Sequence, residues 1–173
     1  MVEIDDKNNN AESIAISWLK EGKNVGLMSE SGMPGVADPG NKIVRMAHKE
    51  RLKVMPMVGP SSIFMALAAS GMNGQNFQFH GYLPINENEL QKKLKHLETE
   101  SRKYNKTQLF IETPYRNKRM LGFCIKALDN STLLGVALDI TGDEENIIVQ
   151  PIQDWKKQNI ELPKQPAIFM IGK

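Results

Sequence analysis

The feature that most constrains this chain is a pattern that occurs twice before Gly71. A short apolar run ends in a glycine- and proline-rich turn, and the turn opens into a helix. "NVGLM" (24–28) leads into "SESGMPGVADPGNK" (29–42) and a helix that ends near Glu50. "LKVMPM" (52–57) leads into "VGPSS" and a helix over 61–70, stopped by Gly71. Asp38 stands where a helix N-cap should stand, with Pro39 at the first helical position and Ile43, Val44 and Ala47 on one face. Upstream, Ile14, Trp18 and Leu19 predict a helix over 11–21, closed by Gly22. Short strands alternating with helices predict parallel pairing through right-handed crossovers. In such sheets ligands gather at the carboxyl ends of strands, near helix N-termini, and both turns fall at those ends.

The texture changes at "GMNGQN" (71–76), which predicts a first α/β domain over 1–76 and a second over 77–173. In the second, "FQFHGYL" (77–83) alternates as a strand does. A helix over 86–103 carries the stripe Leu90, Leu94, Leu97, with Asn86 and Glu89 as a capping box. "TQLFIET" (107–113), "TLLGVAL" (132–138), "NIIVQ" (146–150) and "AIFMI" (167–171) read as strands, and 116–128 as a helix. Consecutive strands mixed with helices predict a mixed sheet. The expected fold is therefore α/β in two domains, a parallel first and a mixed second.

Composition excludes several classes. No apolar run is long enough to span a bilayer, and the start "MVEIDDKNNN" is acidic and polar, unlike a signal peptide, so a cytoplasmic protein without membrane contact is expected. Cys124 is the single cysteine, and His48, His80 and His96 have no ligand spacing, so no metal is expected. A net charge of +2 does not announce a nucleic-acid binder, although basic residues gather between Arg102 and Arg119. Gly35 to Gly40 has the spacing of a phosphate loop, but Asn41 follows where Lys is required. Dinucleotide, nucleophile-elbow and paired-carboxylate signatures are absent. The 29–42 turn remains either a tight connection or main chain laid against a polar small molecule.

Five segments carry a resemblance. "GLMSESGMPGVADPG", "VMPMVGPSSIFMALAASG", "FHGYLP", "FIETPYR" and "ALDITGDEE" resemble, in order and spacing, the tetrapyrrole methylase superfamily, and within it the ribosomal small-subunit RNA ribose 2′-O-methyltransferases. The resemblance implies a methyltransferase using S-adenosylmethionine, two α/β domains with the cofactor between them, and a homodimer. It implies cofactor contacts from Glu30, Ser31, Gly32, Met33, Pro34 and Asp38, from Pro60, Ser61 and Ser62, from Glu112, Thr113 and Pro114, and from Asp139, Thr141, Pro166 and Ala167.

Methyl transfer from a sulfonium needs alignment more than catalytic side chains. A ribose hydroxyl must still lose a proton. Glu112 is the candidate base, or else a strand-end carboxylate that hydrogen-bonds the next loop; His80 is a packing residue on the alternative reading. Three departures from the family pattern matter. Its opening strand and glycine–proline loop do not precede residue 11, so the chain reads as a fragment. "INENE" (85–89) stands where the RNA enzymes are basic. "LDITG" (138–142) replaces a turn with basic ends. The last two remove phosphate contacts and leave RNA as one acceptor among others. The alternatives are a methylase of another small or macromolecular acceptor, and a non-catalytic fragment that keeps the fold.

Overall fold

The structure, a computed structural model, describes residues 2–4, 10–158 and 161–173; part of the N-terminal stretch read as unlike a signal peptide lies outside them. The chain divides into two compact units, Met1–Ser61 and Ser62–Lys173.

In the first unit α1 (Ala11–Lys20) packs on α2 (Asn41–Lys49). Ala11, Ala15, Ile16, Ile43 and Ala47 are buried. The ion pairs Lys20–Glu50 (2.9 Å) and Lys42–Glu12 (3.8 Å) flank them. The buried stripe of α1 is thus not Ile14, Trp18 and Leu19: small alanines let the helices approach closely.

Two expectations for this unit fail. Residues 24–28 and 52–57 are not strands, and no parallel sheet forms among the described residues of the unit. A strand exists by ladder hydrogen bonds to a neighbour, and neither segment has one; Met28, Met55 and Met57 stay exposed. Asp38 and Pro39 are not the start of α2 either. Gly40 is its N-cap, at φ +124°, a conformation that halts the helix there and that glycine alone adopts freely. Leu27 occupies the space a Cβ at Gly40 would need.

The second unit begins with α3 (Ser62–Ser70) and continues β1 (Phe77–Tyr82), α4 (Glu87–Tyr104), β2 (Thr107–Glu112), a 3-10 turn (Pro114–Arg116), α5 (Asn117–Ala127), β3 (Leu133–Leu138), β4 (Asn146–Pro151), α6 (Ile152–Trp155) and β5 (Ala167–Gly172). The strands form one mixed sheet, ordered β1-β2-β5-β3-β4, with β1 and β2 parallel and every other pair antiparallel. Asn86 caps α4 as expected: its side-chain oxygen accepts from the amides of Asn88 (3.0 Å) and Glu89 (3.2 Å).

Both faces of the sheet are covered. Leu90, Leu94 and Leu97 of α4, with Met120, Leu121 and Cys124 of α5, pack on Phe110, Val136, Phe169 and Ile171. Ile63, Ala66 and Leu67 of α3 pack on Leu109, Ala137, Ile168 and Met170 of the other face. Strand β5 is central, which explains why its sequence is apolar throughout and does not alternate. Because α3 is anchored to this sheet, the compact units divide at Ser61 and Ser62, earlier in the chain than residue 76. Helix α6, unforeseen from sequence, is held by Trp155, whose indole N–H donates to the Leu134 carbonyl at 2.9 Å.

Candidate functional site

The order of the sheet brings three separate motifs to one edge. In register, Ala167 of β5 lies opposite Glu112 of β2 on one side and Leu138 of β3 on the other. Asp139, the next residue, donates its N–H to the Pro166 carbonyl at 3.0 Å. Glu112, Thr113, Asp139, Pro166 and Ala167, distant in sequence, are therefore neighbours where β2 and β3 end and β5 begins.

The turn between β3 and β4 is strained. Asp139 (φ +46°) and Thr141 (φ +69°) both lie in the left-handed region, which a β-branched threonine disfavours. The turn is held by its own polar groups. The Gly142 amide donates to the Asp139 carbonyl at 2.7 Å, the Glu144 amide to Asp139 Oδ2 at 3.1 Å, and the Thr141 amide to Glu145 Oε2 at 2.8 Å. A Cβ at position 142 would collide with the Asp139 carboxylate. Glycine in place of the family's basic residue thus has a local steric reason.

Glu112 is enclosed, its side chain 1% exposed. Oε2 lies 3.0 Å from a terminal nitrogen of Arg116, and Oε1 accepts from the Thr113 amide at 2.8 Å and from its hydroxyl at 3.3 Å. Of the two readings of Glu112, the bond to the following loop is realised. From sequence Arg116 counts only among the basic residues clustered between Arg102 and Arg119, and Asn117 is not singled out; the i,i+4 spacing of Glu112 and Arg116 is the signal for their pairing. Asn117 is fully buried and donates from Nδ2 to the carbonyls of Gln165 (2.7 Å) and Pro163 (3.4 Å).

The remaining candidates lie elsewhere. Glu30, Ser31, Gly32, Met33, Pro34 and Asp38 form an irregular turn in the first unit. It is fixed by Ser29 Oγ, which donates to the Ser31 carbonyl at 2.7 Å, and by the Val36 amide on the Met33 carbonyl at 3.1 Å. Gly32 (φ +74°) and Gly35 (φ +77°) are left-handed, and a Cβ at Gly32 would meet nothing within 4 Å, so conformation, not crowding, calls for glycine there. Pro60 and Ser61 end the first unit, and Ser62 opens α3 of the second. His80 on β1 is half-buried, its Nε2 2.7 Å from Gln108 Oε1; burial holds its pKa below the ordinary imidazole value.

The basic cluster is largely neutralised. Arg102 pairs with Asp129 (3.1 Å), Lys106 with Glu100 (3.4 Å), Arg116 with Glu112, Lys118 with Glu161 (2.7 Å) and Arg119 with Glu87 (2.9 Å). Lys103 instead lies over the Tyr104 ring. Among the described residues no group of three or more His, Cys, Asp or Glu could hold a metal ion, and no helix is long and apolar enough to cross a membrane.

Comparison with known proteins identifies the family. The profile of the Tetrapyrrole (Corrin/Porphyrin) Methylases matches residues 3–155, and the chain belongs to that family. A relative from Bacillus subtilis (strain 168), named Ribosomal RNA small subunit methyltransferase I, is 35% identical over 147 residues, 83% of this chain and 49% of its own length. The chain spans about half the length of the curated relatives it matches. Among solved structures, the methyltransferase CobJ superposes with a TM-score of 0.64 at 21% identity, covering 98% of this chain and 73% of that one. Uroporphyrin-III C-methyl transferase from Thermus thermophilus, complexed with S-adenyl homocysteine, gives 0.50 at 14%, covering 95% and 74%. These two likenesses are of fold.

Proposed function

We propose that the protein to which this chain belongs is an S-adenosylmethionine-dependent methyltransferase that methylates a ribose hydroxyl of small-subunit ribosomal RNA, working as a cytoplasmic homodimer. The observation that carries the reading is the convergence of Glu112, Thr113, Asp139, Pro166 and Ala167 at one sheet edge in a chain of this family. When bound, the cofactor supplies an electrophilic methyl on a sulfonium sulfur. The residues of this chain would hold it and exclude water, and the hydroxyl proton would leave to a base other than Glu112, whose two oxygens are both engaged. The amides of Thr113 and Asp139 are engaged within the chain, so it is the second lone pairs of the Thr113, Asp139 and Pro166 carbonyls that are suited to accept from the cofactor's polar parts. Alignment of acceptor oxygen with methyl carbon then supplies most of the acceleration. The relative's name supports ribosomal RNA as the acceptor, and the ligand of the Thermus structure supports the cofactor.

One observation favours a different acceptor with the same cofactor. Five of the six basic residues between Arg102 and Arg119 face a carboxylate of their own chain. Calorimetric titration with S-adenosylmethionine, on this chain and on a version extended upstream, tests the cofactor reading. Binding to neither refutes it. Methyl transfer to deproteinised small-subunit RNA tests the acceptor; transfer to a small molecule alone favours the second reading.

A further inference from the structure

The Glu112 carboxylate is a poor candidate for a free proton acceptor, because both its oxygens are occupied. One meets the Arg116 guanidinium; the other takes the amide and hydroxyl of Thr113. The pair brackets Thr113, Pro114 and Tyr115. The segment is closed from within by the Arg116 amide on the Thr113 carbonyl at 2.9 Å. Its far end is fixed by Asn117, whose Nδ2 reaches across to Gln165 and Pro163. The turn is thus gripped at both ends, and the second grip ties it to the segment that delivers Pro166 and Ala167 to the same edge.

Stability alone does not explain this grip. A buried ion pair is often matched or bettered by apolar residues of similar volume. This one also leaves Arg116 Nε buried without a hydrogen-bond partner among the described residues. Buried donors left unpaired are rare and call for a reason. Meanwhile Tyr115, at the centre of the gripped turn, is 73% exposed. A rigid base carries an outward-facing tip.

We propose that Glu112 and Arg116 form a positioning pair: they fix the Thr113–Pro114–Tyr115 turn in the geometry that contacts S-adenosylmethionine, and Glu112 acts through Thr113 rather than by taking a proton. The contact with the cofactor rests on the methyltransferase reading; the hold on the turn does not.

The test uses the full-length protein and the variants Glu112→Gln, Arg116→Met, Arg116→Lys and the double Glu112→Gln/Arg116→Met. Two readouts are followed, amide exchange over 113–117 and calorimetric affinity for S-adenosylmethionine. Each single neutralising variant should speed exchange in the turn at least tenfold while β3 and β5 keep their protection. Each should weaken cofactor binding about tenfold, and Arg116→Lys should restore part of it. The double variant should be no worse than Arg116→Met alone, because it leaves no unpaired buried charge; it carries the test if a single variant fails to fold. Unchanged exchange in the turn overturns the proposal. So does a Glu112→Gln protein that binds cofactor normally but loses transfer, since that is the behaviour of a base. If the unaltered protein binds no S-adenosylmethionine, the methyltransferase reading falls, and exchange alone decides whether the pair positions the turn.

Discussion

The amide of Asp139 donates to the carbonyl of Pro166 at 3.0 Å, and this bond ties the end of β3 to the entry of β5. It holds Asp139 in the left-handed region, and Thr141 follows in the same strained conformation. Replacing Thr141 by glycine should relieve that strain and raise stability by about 0.5–1 kcal/mol, net of the greater freedom glycine gives the unfolded chain. Gly142→Lys, which restores the family's basic residue, should do the opposite by about 1 kcal/mol: its Cβ displaces the Asp139 carboxylate from the Glu144 amide. Thermal unfolding of the two variants should move in opposite directions. A lower midpoint for Thr141→Gly would show that the threonine is not strained.

His80 predicts a pH dependence. Burial lowers its folded pKa, so the folded state resists protonation. Above about pH 6.5, the ordinary value, the residue is neutral in both states and stability is flat. As pH falls below that value the unfolded chain takes up the proton first, and stability declines until the folded pKa is passed. Denaturant titrations between pH 7.5 and 5 should show this decline in the parent and a shallower one in His80→Gln, which keeps a donor for Gln108. Equal slopes would remove His80 as the group responsible.

RNA binding should be weak, in the non-specific range of roughly 10⁻⁴–10⁻⁶ M at physiological salt, because five of the six basic residues clustered between Arg102 and Arg119 already face a carboxylate of their own chain. The structure suggests a gain-of-binding test. Glu87→Gln and Glu161→Gln together would release Arg119 and Lys118 from their partners at 2.9 and 2.7 Å. Affinity for an RNA hairpin should rise, and its logarithmic salt slope should steepen by about 0.7–0.9 per freed cation. Tight, sequence-selective binding by the unaltered chain, with little dependence on salt, would show that the paired residues are not the RNA-facing ones.

Gly32 separates conformation from contact. At φ +74°, with nothing within 4 Å of where a Cβ would stand, the position is open but left-handed. In the full-length protein Gly32→Val should lower cofactor affinity at least tenfold, on the order of 1.4 kcal/mol, by filling the open space and shifting the turn. Titration of an intact, folded variant with unchanged affinity would remove the turn from the binding surface.

The sequence announced the second unit well, because its signals are local. Leu90, Leu94 and Leu97 repeat at helical spacing, Asn86 caps, and β-rich runs alternate with turn residues. The first unit misled because "NVGLM" and "LKVMPM" have strand composition, yet composition cannot supply the neighbour that makes a strand. The edge-of-sheet cluster was only partly legible. Family motifs pointed to Glu112, Asp139 and Pro166, but that Ala167 lies between Glu112 and Leu138 follows from strand order, which no local pattern encodes. Asn117 was invisible because its partners are main-chain carbonyls at 163 and 165.

Exchange and thiol chemistry should distinguish the two units. Residues 24–28 and 53–57 have no ladder hydrogen bonds, so their amides should exchange faster than those of α1 and α2, while the Leu52 amide is held by the Ala47 carbonyl at 2.9 Å. The amides of β3 and β5, paired on both sides and covered on both faces, should be slowest. Cys124 offers an independent probe of the same opening. It is fully buried beneath α4 and the sheet, and burial pushes its thiol far above the ordinary pKa, so it is neither accessible nor ionised in the folded unit. Alkylation should therefore require unfolding of the second unit, and its rate should track the exchange of β5 across a denaturant series. Rapid labelling at zero denaturant while β5 stays protected would show that α5 detaches on its own. Slow exchange at 24–28 in a dilute monomer would show that this segment has found a pairing partner.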